Sequence, residues 1–404
     1  MNQYIDWITE EIKQICVKCK KRVAGSESER AAGDYMADSL SKWADTVIKE
    51  DFAVHPQAFI GSFALQAFCS ICSTICFLLS ALLYEKRLAV LSICFLFLVS
   101  SSFIFESVFY RQYMDFLYPK QTSQNILAVR KAAIETKQRI IICGHADAAY
   151  EMPLLQRSNA VVFIYTMISL AIIGFFLCIT FDVLLIFANL TRSAIIIFCV
   201  LEVLFIIPHV FFLFFIDWRT VVDGANDNLT GCLLGMSILK EMADHNQRLN
   251  YTDVCCLITG GEESGLRGAF AYAKAHRQEL MDTNSIVIAV DTIHEADQLM
   301  IYPRGINFTQ KNSDYVCNLL RKAGKERGIS LADAGFFPGA NDSEAFSRNG
   351  IEAAALCAVR HTPTDYYHIR TDTWDNLDKE GIALTRSVLQ RAITIYEKQS
   401  FMQK

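Results

Sequence analysis

The chain reads as an α/β protein: a mostly parallel mixed sheet covered by helices on both faces, into which two apolar helical hairpins, four spans in all, are inserted. Three observations predict this. From Val222 onward, strand-like and helix-like segments alternate, the pattern of a sheet whose strands are joined by crossover helices. Short apolar runs such as residues 254–258 (Val-Cys-Cys-Leu-Ile) end in glycines, as interior strands do where they turn into the next helix. Four long uncharged or nearly uncharged runs, residues 60–83, 88–108, 159–180 and 194–216, complete the picture. Each is long enough to cross a hydrocarbon core of roughly 30 Å, which takes about 20 helical residues.

Residues 1–58 form the N-terminal part of the soluble domain. Helical periodicity runs through residues 7–49 and breaks near Ala24-Gly-Ser-Glu-Ser-Glu29, where Ser26 or Ser28 caps the helix that continues through Tyr35, Met36 and Leu40. Cys16 and Cys19 form a CxxC with no second pair to complete four ligands, so two thiols on one helical face is a better reading than a zinc site. The first hairpin, residues 59–110, turns at Tyr84-Glu-Lys-Arg87 and returns the chain to the side it left. Soluble structure resumes over residues 111–157, with strands at 125–129 and 139–143; the second ends in Gly144-His145-Ala146-Asp147. The second hairpin, residues 158–216, turns at Asn189-Leu-Thr-Arg192-Ser193 and re-emerges at Asp217-Trp218-Arg219, an interfacial anchor. Residues 217–404 hold the main part of the soluble domain, with helices at 231–244, 268–279, 312–328 and 378–398 and strands at 254–258, 285–290 and within 351–359.

All soluble segments therefore share one face of a multi-pass integral membrane protein whose partner is the lipid bilayer. Lys42, Lys49, Arg111, Lys120 and Arg219 lie near the spans on that side, against Lys86, Arg87 and Arg192 in the hairpin turns, which favours a cytoplasmic soluble domain. Glu106 sits near enough to a span end to reach the interface. Glu202 and His209, beside Pro208, fit helix-to-helix hydrogen bonding better than a proton relay.

A net charge of -5, with no long basic run, argues against nucleic acid as a partner. Six of the 14 cysteines (Cys69, Cys72, Cys76, Cys94, Cys178 and Cys199) fall inside the spans, where thiols behave as small apolar groups, and no disulfide framework is visible. The start, Met-Asn-Gln-Tyr-Ile-Asp-Trp, lacks the basic and apolar regions of a secretory signal.

The chemistry gathers at strand ends, where ligands collect in such sheets. Thr259-Gly-Gly-Glu262-Glu263 follows the strand at 254–258, and adjacent side chains leaving a strand point in different directions, so one carboxylate can hold a metal while the other handles a proton. His145 and Asp147 follow the strand at 139–143; Asp223-Gly-Ala-Asn-Asp227-Asn228 opens a helix; Asp291 ends residues 286–290; Tyr366-Tyr367-His368 precedes Thr371-Asp372-Thr373. Two imidazoles and three carboxylates suit zinc or another first-row divalent ion, in sufficient number for two metals sharing one carboxylate. A paired-metal site activates water and polarises a carbonyl or phosphoryl oxygen, and an unligated carboxylate, here Glu262, takes the proton. The single-zinc HExxH motif is absent, since His294-Glu295 lacks its second histidine.

In this order, His145-x-Asp147, Gly-Ala-x-Asp227-Asn-x-Thr-Gly231, Glu262-Glu263-x-Gly-Leu-x-Gly268, Asp291 and Tyr367-His368-x-x-x-Asp372-Thr373 make five motifs. Together they resemble the bacterial leucyl aminopeptidase type of two-zinc exopeptidase, clan MH, peptidase family M28. Arg22-Val-Ala-Gly-Ser-Glu-Ser-Glu29 is similar to that family's first helical segment, and Gly339-Ala-Asn-Asp342-Ser-Glu-Ala-Phe346 to its pre-strand loop. The resemblance implies the zinc exopeptidase fold and two Zn2+ ions: His145 and Glu263 complete different metals, Asp227 bridges them, and Asp291 and His368 supply the remaining ligands. It further implies Glu262 as general base, Asp147 as the carboxylate that orients a ligand, and Tyr367 as a donor to the tetrahedral oxyanion. The departure from the family is the pair of apolar hairpins, the second of which separates His145 from Asp227.

The expectation is thus a membrane-anchored zinc exopeptidase, an aminopeptidase acting on peptides with a free N-terminus. Two rivals stand beside it. A catalytically silent, peptidase-like scaffold has no physical need of an intact ligand set and base, and a transporter finds few intramembrane charges to work with. The residues shaping a substrate pocket between Tyr302 and Phe346 form no readable motif.

Overall fold

A computed structural model describes residues 2–305, 310–334 and 339–399. The stretch between Tyr302 and Phe346 thus includes two short segments, 306–309 and 335–338, outside the described residues. The chain divides into two compact units: residues 1–56, 120–151 and 218–404 form the first, residues 57–119 and 152–217 the second.

The first unit is built on eight strands: β1 (Thr46–Val54), β2 (Gln121–Arg130), β3 (Gln138–His145), β4 (Thr252–Thr259), β5 (Ser285–Ile293), β6 (Leu299–Tyr302), β7 (Ala332–Asp333) and β8 (Glu352–Ala358). They lie in the order β1-β2-β4-β3-β5-β8-β6-β7. The pairs β4/β3, β3/β5, β5/β8 and β6/β7 are parallel; β1/β2, β2/β4 and β8/β6 are antiparallel. The parallel centre is where the apolar runs are continuous: β3 and β4 are buried at every position, as strands covered on both faces must be. One face carries α1 (Asn2–Lys18), α2 (Glu27–Leu40), α7 (Thr230–Asp244), α10 (Asp314–Glu326) and α12 (Lys379–Gln399), packed on Ile140, Ile142, Val254, Ile286, Ile288 and Leu356. Behind the other lie α8 (Arg267–Ala275), α9 (Arg277–Asp282) and α11 (Asp342–Arg348).

Several boundaries differ from the sequence reading. The helical periodicity ends at Leu40, and residues 46–54 form β1 instead: Thr46, Val47 and Ile48 are β-branched and pair with Val129, Ala128 and Leu127. Of the two candidate caps, Ser26 is the one whose hydroxyl accepts from Glu29 N. The helix expected over 268–279 is two helices that break at His276. Asp291 does not end its strand, because β5 continues to Ile293 with Thr292 at φ 48°.

The second unit consists of α3 (Ala58–Leu83), α4 (Lys86–Ser102), α5 (Ala160–Phe187) and α6 (Arg192–Phe215); α4 runs on through a π-turn, Phe103–Val108. Each helix packs on two others, α3 on α4 and α6, α5 on α4 and α6. All four are long and apolar enough to cross a membrane. Their interior holds a thin polar layer. Ser73 and Ser92 share a hydrogen bond of 2.8 Å, Ser92 Oγ donates to Asp182 Oδ2 at 2.7 Å, and Thr74 Oγ1 donates to Glu202 Oε2 at 3.4 Å. Glu106 is fully buried rather than reaching outward; its carboxylate accepts from the N–H groups of Tyr113 and Met114. His209 Nδ1 lies 2.9 Å from Phe205 O.

Candidate metal centre

The site forms at the C-terminal ends of the parallel strands. His145 is the last residue of β3, held in register by Ala146 N donating to Thr259 O at the end of β4. From β4 the chain turns sharply through Gly260 and Gly261; Gly261 has φ +63°, which favours glycine, and delivers Glu262 and Glu263 beside His145. Asp227 lies in the distorted segment Ala225–Leu229 that leads into α7, where Asp227 and Asn228 are non-helical and the peptide between them is cis. This segment is pinned on both sides. Asp372 accepts from Asn226 N, Asn226 Nδ2 and Asp227 N at 2.7, 2.9 and 3.2 Å, and Asn228 Nδ2 donates to Val290 O at 2.8 Å.

The expected metal ligands converge. Asp227 Oδ1 lies 3.2 Å from His145 Nε2, and Asp227 Oδ2 lies 3.0 Å from His368 Nε2, so each oxygen of one carboxylate faces a different imidazole. Asp291 Oδ1 and Glu262 Oε2 are each 3.8 Å from His145 Nε2, and Glu263 Oε1 is 3.4 Å from His368 Nε2. Two groups could each hold an ion with donor atoms within 4.8 Å of one another: His145, Asp227 and Glu263, and His145, Glu262 and Asp291. Cys16 and Cys19 belong to neither. His145 and Asp227 are buried, whereas the side chains of Glu263, Asp291 and His368 keep 15%, 15% and 12% of their surface exposed, which leaves one side open.

Asp147 sits behind the site. Its Oδ1 is 3.4 Å from His145 Nδ1 and accepts from Glu262 N at 3.0 Å, while Oδ2 accepts from Glu263 N at 3.0 Å. One buried carboxylate therefore aligns an imidazole and the backbone of both glutamates. Tyr367 stacks on His368 with ring centroids 4.2 Å apart and meets His361 edge-on at 4.9 Å.

The electrostatics are those of a crowded acidic cavity. Burial alone would lower the pKa of His145 and His368, but the carboxylates around them, Glu262 and Asp147 for the first and Glu263 and Asp227 for the second, raise both well above the usual imidazole value. Burial pushes Glu262 far above the carboxylate range, helped by Glu263 and Asp291 and opposed by His145. Burial would also raise Asp227, yet its two histidine contacts hold it below the usual value. Glu263 is raised, first by burial and against the charge of His368. Carboxylates packed this closely around two imidazoles, with one carboxylate spanning both, fit a divalent cation better than protons alone.

The structure adds residues that had no role from sequence alone. Asp342, buried and raised to about 6 by burial, accepts from Thr259 Oγ1 at 2.5 Å and keeps Oδ1 without a partner. Asp372 is pushed by burial to about 7. Burial, followed by the charge of His368, lowers His361 to about 4. Asp342 and Asp372 lie inside segments already recognised as motif-like, but nothing in a motif says that a carboxylate points inward.

Sheet order and the flanking helices define an α/β protein with a mostly parallel mixed sheet, a fold like that of the zinc exopeptidases. Residues 210–393 match the model of peptidase family M28. A glutaminyl cyclase from an Acidobacteriales bacterium is similar in fold (TM-score 0.57, 12% identity, 98% of this chain and 95% of that one). So are the zinc aminopeptidase BSAP from Bacillus subtilis (0.55, 12%, 96% and 94%) and an aminopeptidase from Aneurinibacillus sp. strain AM-1 (0.55, 14%, 96% and 93%). No curated protein matches the sequence.

Proposed function

We propose that the chain is a membrane-anchored, metal-dependent exopeptidase, an aminopeptidase acting on peptides with a free N-terminus. The observation that carries this reading is the Asp227 carboxylate, whose two oxygens address His145 and His368 separately. His145, Asp227 and Asp291 would hold one ion, and Asp227, Glu263 and His368 the other. Two first-row divalent ions, zinc foremost, would supply Lewis acidity for the scissile carbonyl and the attacking water.

The chain's own groups do the rest. Glu262, kept out of the ligand set, takes the proton of the attacking water and passes it to the leaving amine; its raised pKa is the direction a general base working near neutrality needs. Asp147 fixes the orientation of His145 and of the Glu262–Glu263 backbone. Burial, then the charges of Asp227 and Glu263, hold the Tyr367 phenol well above its usual pKa, so it stays a donor for the oxyanion. The four apolar helices support insertion in a bilayer, and the Lys and Arg residues near the spans on the soluble side favour a cytoplasmic face for the first unit.

The test is metal analysis of detergent-purified full-length protein together with hydrolysis of free-N-terminal, N-blocked and N-terminal glutaminyl peptides. About two ions per chain and cleavage confined to free N-termini are expected. Cyclisation of the glutaminyl peptide without cleavage would move the assignment to the chemistry of the cyclase relatives, and metal-free, inactive protein would leave a scaffold.

A further inference from the structure

The segment from Arg22 to Glu29, before any of the five metal-site motifs, touches three of the loops that carry them. Arg22 is fully buried. Its Nε donates to Ala146 O at 2.8 Å, between His145 and Asp147, and its Nη2 donates to Gly224 O at 3.0 Å, just before Asp227. Its own carbonyl accepts from Ala148 N. At the other end of the segment, Glu29 is 4% exposed. Its Oε1 accepts from Gly261 N at 3.0 Å, and its Oε2 accepts from Gly25 N at 2.6 Å and Ser123 Oγ at 2.9 Å.

Gly261 precedes Glu262, so the Glu29 carboxylate anchors the turn whose next two N–H groups are taken by Asp147. The three successive amides 261, 262 and 263 are thus held by two buried carboxylates. The neighbouring Gly260 explains itself in the same terms, since a Cβ there would strike Ser123 Oγ and Glu29 Oε1. Burial and the charge of Asp147 raise Glu29 to about 8, so placing it here is costly. Among the described residues it forms no ion pair to offset that cost. What the placement secures is a three-point hydrogen-bond anchor on a turn that has two glycines and little rigidity of its own.

We propose that Glu29 is a positioning residue for the Glu262–Glu263 turn, and that with Arg22 it makes the N-terminal segment part of the metal site's supporting framework. This deepens the metallo-exopeptidase reading and rests on it. A glutamine at position 29 has one acceptor oxygen for three donors, so it leaves at least one N–H or O–H facing its amide.

The deciding experiment uses detergent-purified full-length Glu29→Gln and measures zinc affinity by chelator competition, together with kcat and KM on a free-N-terminal peptide. Zinc affinity and kcat are expected to fall about 10- to 100-fold while KM stays nearly constant, the range seen when partners of metal ligands are removed. Values of zinc affinity and kcat indistinguishable from those of the unaltered chain would overturn the proposal. Ser123→Ala, which removes one donor and keeps the carboxylate, should move zinc affinity in the same direction by less; should Glu29→Gln not fold, an unchanged zinc affinity in Ser123→Ala overturns it instead. If the unaltered protein binds zinc but cleaves nothing, the peptidase reading fails while the zinc measurement still judges Glu29.

Discussion

Both units of the molecule bury carboxylates, and they hold them in different ways. In the first unit Asp147 takes two backbone N–H groups and faces an imidazole, Asp372 takes three donors, and Glu29 takes three. Glu106 of the second unit likewise takes two backbone N–H groups, but within the helix packing Asp182 takes one serine hydroxyl and Glu202 a threonine side chain at 3.4 Å and the Cys178 thiol, leaving Asp182 Oδ1 without a hydrogen bond among the described residues. The first pattern is a network in which each group fixes the position of the next, so removing one disturbs several. The second is a few hydrogen bonds within apolar helix packing, so a loss there stays local.

The sharpest test of that contrast is Asp227→Asn. The substitution keeps the shape of the side chain but turns one of its two histidine-facing oxygens into an amide. Bound metal should drop from about two ions per chain to one or none, and turnover should vanish with it. Retention of both ions would remove Asp227 from the bridging position. Glu262→Gln comes next: about 10²- to 10⁴-fold in kcat, with metal content unchanged, is the signature of a lost proton-transfer group outside the ligand set. A loss of metal in that variant would instead place Glu262 among the ligands, in line with its 3.8 Å approach to His145.

Asp147→Asn probes the network one step further out. It still offers an oxygen to one glutamate amide, but its NH2 opposes the other. A loss of about 10- to 100-fold in zinc affinity, read by chelator competition, is expected. An effect confined to thermal stability would reduce Asp147 to a brace.

How much of this was legible in the chain depends on the kind of signal. The strands of the centre were readable because their apolar runs are continuous and end in glycine, and the candidate ligands were readable because they stand in motif order at those ends. β1 was hidden because three consecutive charges, Lys49, Glu50 and Asp51, sit in its middle and break the alternation a strand would show, which extends a helical reading from α2. Glu29, Asp342 and Asp372 were hidden for another reason. Each sits at a position where a surface acid would look the same, and only the fold turns it inward against backbone N–H groups or a threonine.

That buried acid content gives the metal-free first unit an unusual pH dependence. Glu29 at about 8 and Asp372 at about 7 keep their protons to higher pH than in an unfolded chain, where they ionise near 4, and the raised His145 and His368 act with the same sign. Between about pH 6.5 and 8 the native state therefore binds more protons than the unfolded one, so stability falls as pH rises. His361, held near 4, works the other way, but only below that window. With chelator present, the melting temperature should be lower at pH 8 than at pH 6.5. Added zinc should reverse the slope, because its ligands must lose their protons to bind. A metal-free protein that is more stable at pH 8 would contradict the crowded-acid description.

The smallest expected effect is the one that completes the comparison. Asp182→Asn retains an oxygen for the Ser92 hydroxyl, and the Oδ1 of the carboxylate it replaces accepts no hydrogen bond among the described residues. Hydrogen bonds between membrane helices are worth about 0.6 kcal/mol on average, so the melting temperature should barely move, and kcat and zinc affinity should stay at their unaltered values. A loss of turnover comparable to that of Asp147→Asn would mean that this thin polar layer is wired to the metal site after all. The apolar helices would then serve as more than an anchor. Equal zinc affinity and equal kcat in the two proteins would instead confirm that a carboxylate's importance here follows the number of donors fixed on it, rather than the depth at which it lies.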